Sequence, residues 1–110
     1  MGELAVAYNN LGQYSQAILV LKELEPRNQY TWRWQYRMGY ALYYSALKTG
    51  DSRRIARLLG QAQDCFSNAM NFNPPEYIKN DCTEFLEWIA QDKAALTGTQ
   101  PAPDALQAPP

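Results

Sequence analysis

Leu4 and Met38 lie thirty-four residues apart, and the same offset pairs Ala5 with Gly39, Ala7 with Ala41 and Tyr8 with Leu42. A period of that size is the length of a helix–turn–helix unit. Such units stack side by side because none can bury its apolar face alone. The period therefore predicts an all-α chain built as a solenoid of helical hairpins, a scaffold that presents a groove. At 110 residues this is one domain, large enough to bury roughly two-thirds of its unfolded surface.

Helical spacing of apolar residues places about five helices. Leu4, Ala7, Tyr8 and Leu11 mark the first, over Glu3–Leu11, which stops at Gly12. Tyr14–Leu24 follows with Ala17, Ile18, Leu21 and Leu24 on one face, closed by Pro26, and Arg27–Gln29 is a turn. The third runs from about Tyr30 to Lys48 and ends at Thr49-Gly50. Asp51 or Ser52 caps the fourth, since either side chain can accept from the orphan amides of the first turn. Its stripe of Ile55, Leu58, Leu59, Ala62, Phe66 and Ala69 persists across Gly60, which is therefore expected inside the helix, until Asn73-Pro74-Pro75 ends it. The fifth, about Pro75–Leu96, carries Ile78, Cys82, Phe85, Leu86 and Ile89 on one face. Residues 1–96 thus form the helical domain. Residues 97–110, rich in Pro, Ala, Gln and Thr with a single charge, form a tail expected to be mostly disordered or else to occupy the groove of its own or a neighbouring molecule. Its Pro-Ala-Pro and Ala-Pro-Pro stretches favour an extended polyproline-like backbone.

The paired helices resemble the tetratricopeptide repeat, whose pattern runs W-x2-L-G-x2-Y, then A-x3-F, then P. In the second unit Met38-Gly39 stands for the Leu-Gly, Leu42 for the Tyr, Ala62 and Phe66 for the A-x3-F, and Pro74 for the closing proline. In the first, Leu4-Ala5 and Tyr8 match the opening, Gly12 and Tyr14 the turn, and Ala17 and Leu21 the second helix. The resemblance covers residues 2–75 and implies a right-handed solenoid of two divergent repeats, with the fifth helix as its C-terminal cap. Small residues such as Ala7, Ala17, Gly39 and Ala62 would let helix axes approach closely.

Three departures stand out. The signature Trp is missing from both units, its place in the second being Gln35. Pro26 comes three residues early, and the following loop makes up the difference. Gly39 to Phe66 spans twenty-seven residues where the family pattern has sixteen, a surplus of eleven. That is about three turns at ~3.6 residues each. Because the stripes continue through it, longer paired helices are expected, in a hairpin that projects beyond its neighbour. Leu4 already holds the seventh position of the pattern, so the chain starts inside a repeat. A fragment of a longer protein would do so, as would an artificial start at Met1-Gly2.

Residues suited to catalysis are scarce. There is no histidine, the commonest general base and metal ligand. Cys65 and Cys82, seventeen residues apart with no further soft ligand nearby, are no zinc constellation and are expected as buried reduced thiols. Neither a Gly-rich phosphate loop nor a G-x-S-x-G elbow occurs. Glu84 and Glu87 sit among polar neighbours on a solvated face. A non-enzyme without cofactor or metal is expected. Net charge −1 and a pI near 5.3 give no electrostatic case for nucleic acid, and Arg53, Arg54 and Arg57 form only one compact cluster at a helix start. No apolar run approaches the ~20 residues of a membrane span, and the N-terminus lacks a secretory pattern. These features together suggest a cytoplasmic soluble protein.

In tetratricopeptide arrays the first helix of each unit lines the concave face. Carried onto this sequence, the outward positions are Val6, Asn9 and Asn10 in the first unit and Arg33, Tyr36, Tyr40, Tyr43 and Tyr44 in the second. Tyr36, Tyr40, Tyr43 and Leu47 form one stripe, distinct from Trp34, Met38, Ala41 and Leu42. That stripe either faces a groove or packs on the preceding unit or the last helix. Tyr36 and Tyr43 fit both roles, whereas Tyr40 fits the groove better. The basic residues that clamp a C-terminal carboxylate in chaperone-binding members are missing from the matching first-unit positions. The expected function is protein–protein interaction, with a peptide or helical segment bound in an aromatic groove. The alternatives are a structural or assembly role through weak self-association, and a targeting appendage of a larger protein.

Overall fold

In a computed structural model of the chain, residues 2–24 and 30–96 are described, and they form five α-helices with no strand among them. They are α1 (Gly2–Asn10), α2 (Tyr14–Glu23), α3 (Trp32–Lys48), α4 (Ser52–Asn71) and α5 (Glu76–Leu96). Local chemistry accounts for each boundary. Gly12 turns the chain between α1 and α2 at a φ of 75°, a left-handed conformation that a Cβ would strain. Thr31 Oγ1 accepts from Trp34 N at 3.2 Å, so α3 starts at Trp32, two residues later than the apolar spacing suggests. Of the two candidate caps for α4, Asp51 does the work: its Oδ1 accepts from Arg53 N at 3.1 Å. Gly60 lies within α4 as expected. Asn73 takes a φ of 53° past the end of α4, which a short polar side chain tolerates. The amides of Ile78 and Lys79 then close on Pro75 O to open α5. The expected closure at Pro26, the turn at Arg27–Gln29 and the tail from Thr97 to Pro110 lie outside the described residues.

Successive helices pack pairwise, α1 with α2, α2 with α3, α3 with α4 and α4 with α5, and α1 also meets α3. One apolar cluster runs through the described helices, from Ala5 and Leu21 through Trp34, Met38 and Tyr43 to Phe66, Phe85 and Ile89. Trp34 is tied in at both ends, its ring in the core and its indole N–H donating to Leu21 O at 2.6 Å. The approach of α3 to α4 is tight at Gly39. A Cβ on Gly39 would sit 3.0 Å from the Phe66 ring, so glycine is the residue that lets the ring lie against the α3 backbone. Ala62, one turn before Phe66 on α4, is fully buried. Ala62→Leu is expected to destabilise by about 1–3 kcal/mol, because a well-packed contact must strain to admit three more carbons. An unchanged thermal midpoint would place Ala62 outside that contact.

The long second hairpin does not stand clear of the first at its tip. Lys48 Nζ donates to Gly12 O at 3.2 Å and lies 4.9 Å from the centre of the Tyr14 ring, which joins the two inter-helix turns. Along its course α4 is packed by α5, which is 21 residues long.

Candidate functional site

A groove of about 320 Å3 opens between α1, the first half of α3 and the start of α5. Val6, Asn9 and Asn10 form one wall, Trp32, Tyr36, Arg37 and Tyr40 the floor, and Tyr77 with Ile78 the far wall. Helical spacing explains the convergence. Tyr36 and Tyr40 are one turn apart on α3, and Val6, Asn9 and Asn10 share the face of α1 turned toward them. Tyr77 and Ile78 arrive because Asn73, Pro74 and Pro75 end α4 and reverse the chain into α5.

The most unusual group here is Asn9. Its residue is 6 % exposed, and its Nδ2 donates to Arg37 O at 3.4 Å. Its Oδ1 is buried with no hydrogen-bond partner among the described residues. A buried acceptor left unmade costs about 1–3 kcal/mol. Tyr36 is held in place by its hydroxyl, which donates to Asp81 Oδ2 at 3.1 Å, and by edge contacts with Phe66 and Phe85. Tyr40 touches Tyr14, Tyr36, Tyr44 and Phe85 through its ring and makes no hydrogen bond to a described residue.

Among the residues expected to meet a partner, Asn9, Asn10, Tyr36 and Tyr40 line this groove, as does Val6. Arg33 is exposed beside it, its guanidinium 4.7 Å from the centre of the Trp32 ring. Tyr44 is half-buried and stacked on Tyr14, with centroids 5.4 Å apart and planes at 20°. Tyr43 does not face outward. It is 0 % exposed, and its hydroxyl donates to Asp92 Oδ2 at 3.2 Å within the core. The reason is α5: Phe85 meets Tyr36, Tyr40, Tyr43 and Tyr44 in turn, so the last helix covers the far end of the tyrosine stripe. Trp32, Arg37, Tyr77 and Ile78 join the groove without having been expected there. Asp92 did leave a trace in the sequence, since it continues the apolar spacing of Phe85 and Ile89 as a carboxylate, and such a residue needs a buried donor.

Burial raises the pKa values of this cluster. Tyr36 and Tyr43 are pushed well above their ordinary 10.0 by desolvation and then by Asp81 and Asp92 respectively, and Tyr44 rises to about 12 through burial and the neighbouring Tyr40 and Tyr14. Burial, with Asp81 nearby, moves the Cys82 thiol from 9.0 to about 11. The fold thus favours the neutral forms. Their contribution to stability is complete below the unfolded values and is lost as pH climbs through the folded ones. Thermal midpoints should stay level up to pH 9.0 and fall progressively toward pH 12. A midpoint that holds through that range would contradict the buried cluster.

Among the described residues no group of three His, Cys, Asp or Glu side chains is placed to hold a metal ion, Cys65 and Cys82 are free thiols, and no helix is long and apolar enough to cross a membrane. Arg53, Arg54 and Arg57 are exposed at the start of α4. No family profile, curated protein or solved structure matches this chain.

Proposed function

We propose that this chain is a protein-interaction module of the tetratricopeptide type. Two hairpins and a closing helix form a right-handed stack, and the groove between α1, α3 and α5 takes a peptide or helical segment of a partner. The observation that carries the reading is Asn9 Oδ1, a buried acceptor without a partner in the wall of an aromatic groove. An N–H from a bound segment that reaches it relieves it. Trp32, Tyr36, Tyr40 and Tyr77 supply large rigid surfaces that lose little entropy on binding, the kind of side chain that dominates recognition energetics. Because Tyr36 is already fixed by Asp81, its ring is presented before any ligand arrives.

The module binds without catalysis or cofactor, in keeping with a chain that has no histidine. A cytoplasmic setting suits its two free thiols. Selecting random linear peptides against the whole immobilised chain tests the reading. Peptides should be retained, and their Kd should rise about tenfold on Asn9→Leu or Tyr40→Ala, the effect of losing one buried hydrogen bond or one aromatic contact. If no linear peptide is retained, or if the retained ones bind both variants unchanged, the groove is not the binding site.

A further inference from the structure

The groove between α1, α3 and α5 discriminates among segments by their backbone. Asn9 in its wall carries a buried acceptor with no partner among the described residues, so a segment that relieves it must bring an unused N–H. A helix has engaged its N–H groups beyond the first turn, whereas an extended polyproline-type backbone makes no internal hydrogen bond and keeps its N–H groups free. The rings favour the same kind of segment. Tyr36 and Tyr40 are half-buried and Tyr77 is 65 % exposed, leaving flat apolar surfaces of the kind on which proline-rich segments dock. The groove's lining carries one charge, Arg37, and Arg33 is exposed beside it. An occupant with a carboxylate therefore fits better than one with a cation.

We propose that residues 100–110 of the same molecule occupy this groove, so that a partner binds only by displacing them. The inference rests on the groove being a peptide site, as argued above. The segment has the three properties in question: Pro101, Pro103, Pro109 and Pro110 favour the extended backbone, Ala102 and Asp104 bring N–H groups between and after the prolines, and Asp104 is its single charge. Reach and direction agree. The hydrogen bonds Tyr36 to Asp81 and Tyr43 to Asp92 show that α5 runs in the same direction as α3, so Leu96, one turn past Asp92, lies level with Leu47, one turn past Tyr43. From there back to the groove at Tyr77 is about 28 Å of helix at ~1.5 Å per residue. Once the chain reverses near Gly98, residues 100–110 cover about 31 Å at ~3.1 Å per residue. On that path Asp104 comes about 19 Å from Gly98. Arg37 is about 17 Å from Lys48 along α3, so carboxylate and guanidinium arrive level. Because the segment is tethered, its effective concentration is of order mM, and weak contacts are enough to hold it.

A nitroxide on the full chain tests this, attached at Gln107→Cys in a Cys65→Ser background, where the remaining Cys82 is buried. The amide signals of Asn9, Asn10 and Tyr40 should lose most of their intensity at every concentration, while those of Arg53 and Arg54, at the hairpin tip nearer to Leu96, keep theirs. Pro101→Gly/Pro103→Gly/Asp104→Lys changes no residue of the helices and should restore the groove signals. Stopping the chain after Leu96, with helical circular dichroism unchanged, should lower the Kd of groove-binding peptides about tenfold, the factor set by a segment that fills the groove nine-tenths of the time. Broadening centred on the tip or spread evenly over the surface would overturn the proposal, as would groove broadening that survives the triple variant. Broadening that passes from a labelled chain to an unlabelled one and grows with concentration places the segment in a neighbour's groove, and overturns the intramolecular arrangement. If peptides are retained but the groove signals stay sharp, this inference falls and the peptide site stands; if no peptide is retained either, both fall.

Discussion

Phe66→Ala is expected to cost about 3–5 kcal/mol, a large part of the 5–15 kcal/mol that typically separates a domain of this size from its unfolded state. The ring is fully buried. It stacks on Phe85 with centroids 4.5 Å apart and planes at 6°, takes the edge of Tyr36 at 6.0 Å, and lies against the α3 backbone at Gly39. Removing it opens a cavity where α3, α4 and α5 meet, walled by helices that cannot collapse without losing their other contacts. Urea unfolding followed by circular dichroism measures the effect. A loss below about 1 kcal/mol would mean that the three helices do not share one core at this point.

Gly39→Leu should approach the same severity by the opposite route. A leucine gains about 1 kcal/mol in helix propensity over glycine, so on an open helix face the substitution would stabilise. Here even the Cβ meets Phe66 Cζ at 3.0 Å and two further ring carbons at 3.1 Å. The ring cannot retreat, since Phe85 stacks on it. Overpacking then outweighs propensity, and a net loss of about 2–3 kcal/mol is expected. The sharper measurement is the double variant Gly39→Leu/Phe66→Ala, in which the new side chain enters the space the ring has left. It should be more stable than the sum of the single losses by more than about 1 kcal/mol, a coupling that only residues in contact show. Simple additivity would separate the two positions.

Most element boundaries were legible in the residues. The stripe of α4 is unambiguous because six apolar side chains keep helical spacing across Gly60, and the terminators Gly12 and Asn73-Pro74-Pro75 act through backbone geometry that needs no tertiary partner. The start of α3 was less legible, since Tyr30 is apolar enough to extend the stripe while the cap belongs to Thr31. The groove was legible only in part. Asn9, Asn10, Tyr36 and Tyr40 follow from positions on α1 and α3, but Tyr77 and Ile78 reach it from forty residues away through the path of α5. Tyr43 shows the limit plainly. Its spacing equals that of its neighbours on the stripe, and only the arrival of Phe85 and Asp92 turns it from surface to core.

What the sequence determined by itself is what local forces decide: helix content, most caps and breaks, and which face of each helix is apolar. Those depend on periodicity and backbone propensity within a few turns of chain. Tertiary structure alone decided which apolar faces are covered. Met38 and Leu4 are both apolar residues on helical stripes, yet one lies in the core and the other is 43 % exposed. Tyr40 and Tyr43 sit three residues apart on one helix, yet only Tyr40 lines the groove. The physical reason is that burial belongs to pairs of surfaces: a helix face is hydrophobic by its residues, but it is removed from water only where another helix lies against it.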